Sequence, residues 1–427
     1  MKKIVGILGM AAVLASAVFA AEPAANFVMS EFTGSADFGW AADFANKDGV
    51  NMGMYNSNTA SLKFGFVTAG DKVTTGDGIW GELKISSKAS DAAAMPAAPS
   101  VDTAKIHFVD GDFAAALNIL KPSLKYSAYA PMMATPAGIA GDAIDANADE
   151  NLKAGFGLEV AMDKIFAASF KFMDDGVYAP DGESFNKVLA KDKKYGLAID
   201  ASLKAVPNLT ADVAFATNFD TKYMGIQAKA GYDFALDMLA DGFYLAPGVA
   251  FTYAKENADA EAKNSLAAGL MFGMGAKDCD PDLDFIDPTA KKKTNEGISV
   301  AVSTNMKDKG LKLGVGAYYE SLFSKLGLDD FGQLKLGAEY VFAQAADDTL
   351  KAAAKYHLDF SPLYFNVHGG MQLTMPETGD TTTEYKVGVG VGTKEIIDNT
   401  DVFVNYELGG AKEITTNNIK VGTKISF

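Results

Sequence analysis

The chain ends with Ile419-Lys420-Val421-Gly422-Thr423-Lys424-Ile425-Ser426-Phe427, in which apolar or β-branched side chains alternate with lysine, glycine or serine. A period of two predicts a strand with two different faces. The last strand of a soluble domain frays in water, whereas the last strand of a membrane barrel pairs with the first and leaves no open edge in lipid. The stretch therefore favours a transmembrane barrel over an ordinary sheet strand.

We interpret this terminal strand as a barrel assembly signal, which the barrel-assembly machinery of the outer membrane reads. Its apolar face should contact lipid and close the barrel against the strand near Phe38. The signal residues are Ile419, Val421, Thr423, Ile425 and Phe427.

The amino-terminal residues have the pattern of a secretory signal peptide. Lys2 and Lys3 precede an apolar run that ends at Phe19, and small residues follow. This run is shorter than the roughly 20 residues of a spanning helix. We predict a signal peptide over residues 1–20, cleavage between Ala20 and Ala21, and export through the Sec pathway to the bacterial outer membrane.

Between these ends, one unit repeats: an alternating segment of roughly ten residues followed by a turn or loop. In one such segment, Tyr385, Val387 and Val389 alternate with Lys386 and Gly388. Each segment has one apolar face and one face of glycine, small residues and charges. We therefore predict an all-β fold, a transmembrane antiparallel β-barrel of roughly 18–20 strands with long outer loops.

The loops differ in length, as expected if short periplasmic turns alternate with long outer loops. Counting strands back from a periplasmic carboxy-terminus places three long loops outside and one inside. For the loop placed inside, either a strand is miscounted between Thr221 and Leu311 or the loop is periplasmic. The outside loops are residues 89–103, 121–151 and 174–192, and the inside loop is residues 278–295.

The alternating segments stand at nearly even spacing, without a linker rich in proline or serine. This favours one barrel over residues 21–427. Alternatively, residues 21–120 form a separate periplasmic part and residues 121–427 form the barrel. The first reading ranks higher because Phe38 and Trp40 already alternate with Asp37 and Gly39.

Five segments have a recognisable common pattern: Gly34-Ser35-Ala36-Asp37-Phe38-Gly39-Trp40, Gly78-Ile79-Trp80-Gly81-Glu82-Leu83-Lys84-Ile85, Ala104-Lys105-Ile106-His107-Phe108, residues 113–120 and the terminal strand. In these segments the chain resembles the treponemal major outer sheath proteins and the related treponemal repeat proteins. The resemblance implies an outer-membrane porin of a spirochaete with surface-exposed variable loops and, in some models, a periplasmic amino-terminal half.

The composition argues against nucleic-acid binding and against catalysis. The net charge is −16 and every basic residue other than histidine is lysine, whereas nucleic acid requires basic patches. The three histidines, His107, His357 and His368, have no metal-ligand spacing, and no serine lies in a nucleophile-elbow pattern. We therefore expect no catalytic residue, no cofactor and no metal, and we predict that the protein is not an enzyme.

The favoured function is passive, weakly selective diffusion of small hydrophilic solutes through an outer-membrane porin. The alternative is a surface-exposed adhesin or structural outer-sheath protein that uses the barrel as a scaffold. The expected partners are outer-membrane lipid, the barrel-assembly machinery and small solutes. A homo-oligomer and contacts with host surface proteins stay open.

The loop over residues 121–151 is the candidate constriction of this pore. It is too short for a folded plug but long enough to narrow a channel, or else it stands in the medium outside. Its charged residues are Lys121 and Lys125 at one root and Asp142, Asp145, Asp149 and Glu150 at the other.

Overall fold

The computed structural model describes most of the chain from residue 25 onward. Among the described residues, no helix is long and apolar enough to cross a membrane. The described ranges are 25–45, 49–68, 78–89, 100–131, 139–146, 152, 154–174, 194–239, 242–274, 297–307, 310–321, 332–344, 346–360, 362–397, 399–411 and 413–426.

Twenty long strands and three two-residue strands make up the described fold. The long strands are β1 (Ala25–Asp43), β2 (Asn51–Thr68), β3 (Gly78–Ala89), β4 (Ser100–Asp110), β5 (Phe113–Asn118), β8 (Ala154–Met162), β9 (Phe166–Asp174), β10 (Tyr195–Leu203), β11 (Leu209–Asn218), β12 (Tyr223–Tyr232), β14 (Phe243–Lys255), β15 (Lys263–Met274), β16 (Gly297–Lys307), β17 (Gly310–Ser321), β18 (Gln333–Ala343), β19 (Asp348–Phe360), β20 (Leu363–Met375), β21 (Thr382–Ile397), β22 (Thr400–Gly410) and β23 (Ile414–Ser426). The short strands are β6 (Lys125–Tyr126), β7 (Ile144–Asp145) and β13 (Phe234–Ala235).

The long strands form one closed antiparallel barrel. Each pairs with its neighbours along the chain, and β1 pairs with β23 from Ser35 opposite Ser426 to Asp43 opposite Asn418. The sheet counts 21 strands because both β12 and the short β13 pair with the same side of β14, one after the other. The wall is therefore 20 strands around, and the predicted barrel is confirmed. Strands β1 to β5 lie in this same sheet.

The two faces of the wall are the reverse of those of a soluble protein. Large apolar side chains on the outer face are exposed, for example Phe365 and Val367 on β20. Their neighbours Asn366 and His368 point inward, and both are 3% exposed. An apolar outer face and a polar inner face are typical of a strand between lipid and a lumen, so the alternation in the sequence sets the direction of each side chain.

The connections emerge at two rims. Tight turns occur at both rims, and four non-glycine residues in them adopt a left-handed backbone: Lys164, Asn208 and Asn399 at the rim that carries the carboxy-terminus, with φ of 59°, 64° and 60°, and Lys222 at the opposite rim, with φ of 60°. The connections over residues 90–99, 119–153 and 175–194 leave from the opposite rim. Four long strands lie between Thr221 and Leu311, so the connection containing residues 278–295 leaves from the carboxy-terminal rim.

Placing a lysine on the outer face should test its contact with lipid. Val302 lies opposite outward-facing Leu270 and Val315 in the middle of β16. We expect Val302→Lys to lower the free energy of unfolding in a bilayer by about 2–4 kcal/mol, because a charge near the midplane loses its hydration. Met306 is also outward but lies beside the β16–β17 turn, so Met306→Lys should cost about 0–1 kcal/mol. Denaturant unfolding in lipid vesicles measures both, and equal costs would contradict the placement.

Candidate functional site

A segment of the chain lies against the inner wall of the barrel. This lumenal segment consists of residues 121–131 and 139–146, from the connection between β5 and β8. It forms a small hairpin of its own: β6 pairs with β7, and the amide of Gly141 donates to the carbonyl of Tyr129 at 2.9 Å. Lys125 Nζ lies 3.3 Å from Asp145 Oδ2 across the hairpin.

Polar side chains of the wall bind the backbone of the lumenal segment. Gln227 Nε2 donates to the carbonyl of Asp142 and Asn305 Nδ2 to that of Ala140, each at 2.6 Å. Asn218 Nδ2 donates to the carbonyl of Ala146 at 3.2 Å. Because these amides and carbonyls are removed from water, each bond is costly to leave unmade. The contacts spread over β11, β12 and β16 and therefore fix the segment along its length.

Apolar contacts hold the other side of the segment. Leu124 and Ile144 are fully buried against Ala198, Ala214 and Ala216 of β10 and β11. Leu152 packs into the same cluster and is 1% exposed. Period-two alternation with Phe156 and Leu158 predicts that Leu152 lies on the apolar outer face of the following strand. This prediction is wrong, because β8 begins at Ala154 and Leu152 precedes it.

Glycines on the wall make room for the segment. A Cβ atom at Gly248 of β14 would overlap the carbonyl oxygen of Pro131. A Cβ at Gly225 of β12 would lie 2.8 Å from Ile144 Cβ, well inside van der Waals contact. The small residues of the inner face therefore allow the backbone of the segment to approach the wall closely, and a larger side chain at these positions would displace the segment.

Two tyrosines of the segment cover lysines of the wall. Lys171 Nζ lies 4.2 Å from the ring centroid of Tyr126, and Lys229 Nζ lies 5.4 Å from that of Tyr129. Burial, with a smaller effect of Asp212 and then Asp200, raises the pKa of Tyr129 to about 12. The Tyr129 phenol is thus neutral near pH 7 and offers its ring face to the cation.

Elsewhere the inner face carries charges of both signs in close pairs. Asp212 also lies 3.2 Å from Lys229, so the wall beneath Tyr129 is balanced. Further pairs on adjacent strands are Lys386–Glu407 at 3.1 Å, Lys420–Asp37 at 3.4 Å and Lys171–Asp200 at 4.0 Å, and Lys105 of β4 pairs with Glu159 of β8 at 2.7 Å across β5. Glu339 accepts from Tyr318 Oη at 2.7 Å. Glu159, Asp200 and Glu339 therefore occupy the inner face.

The other residues singled out from the sequence fall into three groups. Lys121 is exposed at the start of the lumenal segment, and Asp142 contributes its carbonyl oxygen to the wall contacts. Ile419, Val421, Thr423 and Ile425 lie opposite Ala42, Trp40, Phe38 and Ala36 of β1. Asp149, Glu150, Phe427, Ala20 and Ala21 lie outside the described residues.

Sequence reasoning missed the wall residues that bind the segment. Gln227, Asn305 and Thr252 are polar side chains at inward positions among glycine, alanine and serine, each no more than 4% exposed. A long neutral side chain within a small inward face is the signal that could have identified Gln227. Within the described residues, no group of three or more acidic, histidine or cysteine side chains could hold a metal ion.

The sequence matches two curated proteins in part. No protein-family model matches it. Major outer membrane protein MspA of Treponema maltophilum is 35% identical over 122 residues, and major surface protein MspTL of Treponema lecithinolyticum is 38% identical over 121 residues. The chain is similar to treponemal major outer membrane and surface proteins. The predicted resemblance is confirmed over 24–25% of the chain, and the match spans 20–21% of each relative.

Several solved structures have a similar overall architecture. OpdQ of Pseudomonas aeruginosa aligns with 94% of this chain and 98% of its own, at 11% identity and a TM-score of 0.44. A BenF-like porin of Pseudomonas fluorescens aligns over 93% of this chain and 98% of its own, at 9% identity and a TM-score of 0.42. At scores this low, the assignment of a barrel rests on the strand pairing itself.

Proposed function

We propose that the chain is an outer-membrane porin through which small hydrophilic solutes diffuse passively. The observation that carries the proposal is a closed wall of 20 strands with an apolar outer face and a charged inner face. Barrels of 16–18 strands already enclose an aqueous channel, because diameter grows with strand number. The treponemal relatives, named as outer membrane and surface proteins, support this location.

The lumenal segment is the constriction of this pore. Its backbone is bonded to one side of the wall through Gln227, Asn305 and Asn218. Solutes then pass between the exposed face of the segment, which carries Lys121 and Lys125, and the charged remainder of the inner wall. The passage acts as a channel and requires no chemistry from the side chains that line it.

The route to the membrane belongs to the same proposal. Residues 1–20 are a signal peptide that is removed between Ala20 and Ala21, and residues 21–427 form one barrel. The pairing of β1 to β5 within the sheet supports this division over a separate periplasmic part. The terminal strand, ending at Phe427, is the signal for assembly.

Single-channel conductance of the refolded protein in a planar bilayer tests the proposed function. We expect discrete steps of ionic current at neutral pH and swelling of protein-containing liposomes in small neutral sugars. The control is the same detergent solution without protein. A correctly folded barrel that produces neither current steps nor swelling would refute a porin and favour a scaffold.

The pore should prefer cations weakly. The paired charges of the wall largely cancel and salt screens the remainder, whereas the net charge of −16 raises the cation concentration at the mouth. We expect a K⁺/Cl⁻ permeability ratio of about 2–3 from the reversal potential in a KCl gradient. Glu159→Gln should lower the ratio and Lys105→Met should raise it, because the two residues form one ion pair. A strongly anionic reversal potential would contradict the expectation.

A further inference from the structure

A cavity of about 300 Å³ lies between the lumenal segment and the inner wall of the barrel. Residues 128–131 of the segment form one side, and β11, β12, β14 and β15 form the other. The cavity lies toward the carboxy-terminal rim, where Asn208 and Asp233 line its end. Sites for small molecules commonly hold about 300–1,000 Å³, so this cavity has the size to take one small solute.

Part of the lining is apolar and tightly packed. Tyr244 and Met271, which are 3% and 1% exposed, line the cavity together with Ala246, and the three pack in one cluster. The Tyr244 side chain lies over Gly273, because a Cβ atom there would stand 2.8 Å from the tyrosine hydroxyl oxygen. This packed surface offers an apolar contact to one face of a ring-shaped solute.

Another part of the lining is polar. Thr210 of β11 and Asn208 of the preceding turn are both exposed. The amide of Asp233 donates to the carbonyl of Asn208 at 3.0 Å, which holds this end of the cavity together. A hydroxyl group and a carboxamide each donate and accept hydrogen bonds, so these residues match a solute that does both.

The lysine that lines the cavity is already compensated. Lys229 of β12 lies directly opposite Asp212 of β11, and its Nζ atom is 3.2 Å from Asp212 Oδ2. The same Nζ atom lies 5.4 Å from the centroid of the Tyr129 ring. An anionic solute would have to compete with Asp212 and a cationic solute with Lys229. A neutral hydroxyl group, in contrast, can accept a hydrogen bond from Nζ without breaking the pair.

The lumenal segment completes the site. Residues 128–131, which include Tyr129, supply the side of the cavity away from the wall. Gly248 admits the carbonyl oxygen of Pro131 only because glycine has no Cβ atom. A variant that expels the segment should therefore lose the cavity even though the residues of the wall are intact.

We infer that this cavity binds one neutral monosaccharide beside the constriction. One face of the sugar ring packs against Tyr244, Ala246 and Met271, and the hydroxyl groups bond to Thr210 and Lys229. The inference rests on the proposed porin function and adds a solute class to it. A neutral sugar combines an apolar ring face with many donors and acceptors, so it fits both parts of the lining, which a hydrocarbon or a simple ion does not.

Saturation-transfer NMR on the refolded protein tests the inference with three probes of similar size. At about pH 6.5, glucose is neutral, glucosamine is a cation and glucuronate is an anion. We expect glucose binding to saturate with a midpoint of about 1–10 mM. Glucosamine and glucuronate should bind at least about fivefold more weakly, because each must compete with one member of the ion pair.

Removal of one hydroxyl group tests the polar contact. Thr210→Val should weaken glucose binding about two- to tenfold, because it removes one hydrogen bond at nearly constant volume. Thr349 of β19 also lies on the inner face, opposite buried Val341 and away from the cavity. Thr349→Val makes the same change there and should leave glucose binding unaltered.

Separation of the ion pair should exchange the preferred probe. Asp212→Asn removes the charge that compensates Lys229, so glucuronate should become the best ligand of the three. Lys229→Met removes the charge that compensates Asp212, so glucosamine should become the best ligand. A general loss of folding does not produce two opposite changes of preference.

The outcomes separate this site from the pore itself. Loss of glucose binding in Gly248→Val, with opposite preferences in the two charge variants, would support the site. A wild type without saturable glucose binding, or charge variants that bind all three probes alike, would overturn it. Absence of current steps in the planar bilayer would instead refute the porin function, whatever the NMR result.

Discussion

Replacement of Gly248 by valine is expected to raise single-channel conductance by roughly twofold, because a docked segment that covers part of the lumen can no longer seat there. The carbonyl oxygen of Pro131 occupies the space that any Cβ at residue 248 requires. The clash is with backbone, so a change of rotamer cannot relieve it. The segment must withdraw, and the hydrogen bonds from Gln227 and Asn305 are lost with it.

Deletion of residues 131–148 should produce the same increase without a clash. The two variants approach the constriction differently, one by steric exclusion and the other by removal of the segment. Conductance and the size cut-off for sugars in liposome swelling should rise together in both. If conductance is unaltered in the deletion, the lumenal segment is not the constriction.

A second glycine provides the matched control for Gly248. Gly369 of β20 faces outward, and a Cβ there meets Val387 Cγ1 at 3.5 Å, an ordinary contact. Gly369→Val changes the same residue type by the same volume on the lipid side. It should leave conductance within the scatter of the wild type, so an increase in this variant would indicate a general loosening of the barrel.

Removal of Phe427, or its replacement by aspartate, should lower the amount of barrel inserted in the outer membrane about tenfold, because an unclosed barrel leaves strand edges unpaired in lipid. The preceding residues hold the seam: Val421 lies opposite Trp40 and Ser426 opposite Ser35. An assembly machinery that reads the terminal strand would fail to start this closure. The measurement is surface protein against periplasmic aggregate in fractionated cells.

Phe360 supplies the control for the terminal aromatic. It is an exposed aromatic residue at the end of β19, on the same rim as the carboxy-terminus, and is 59% exposed. Phe360→Asp removes a similar lipid contact without touching the terminal strand. Its insertion should stay near the wild-type level. Normal surface levels of both Phe427 variants would refute the assembly signal. If Phe360→Asp and the Phe427 variants lose the same amount of inserted protein, the effect of Phe427 is explained by lipid contact alone.

Local alternation in the sequence predicted the barrel, its strand number and the direction of its side chains. The reason is that a strand between lipid and lumen must place apolar and polar residues on opposite faces, residue by residue. Val387, Val389 and Val391 show this directly, since all three lie outward and exposed. The closure of the terminal strand against the strand near Phe38 was predicted because a spanning sheet cannot keep a free edge, and in the structure Val421 lies opposite Trp40.

Tertiary structure alone decided where the lumenal segment, residues 121–131 and 139–146, lies. Its carbonyl groups are bound by Gln227, Thr252 and Asn305, which are 85, 110 and 165 residues away along the chain. The sequence identified the segment, the lysines at one root and the acidic residues at the other. It left open whether the segment enters the lumen or stands outside.

The same limit explains Leu152 and the glycines of the wall. Strand alternation assigns Leu152 to lipid, yet it lies before the first residue of β8 and packs on Leu124. In the sequence, Gly248 cannot be distinguished from the other small residues of the inner face. Only the structure shows that Pro131 packs against it. Period-two alternation is a property of neighbouring residues and can therefore be recognised in a short stretch of sequence. The binding site of the lumenal segment is formed by strands that are distant in sequence. These strands come together only when the barrel closes, so the site exists only in the folded protein.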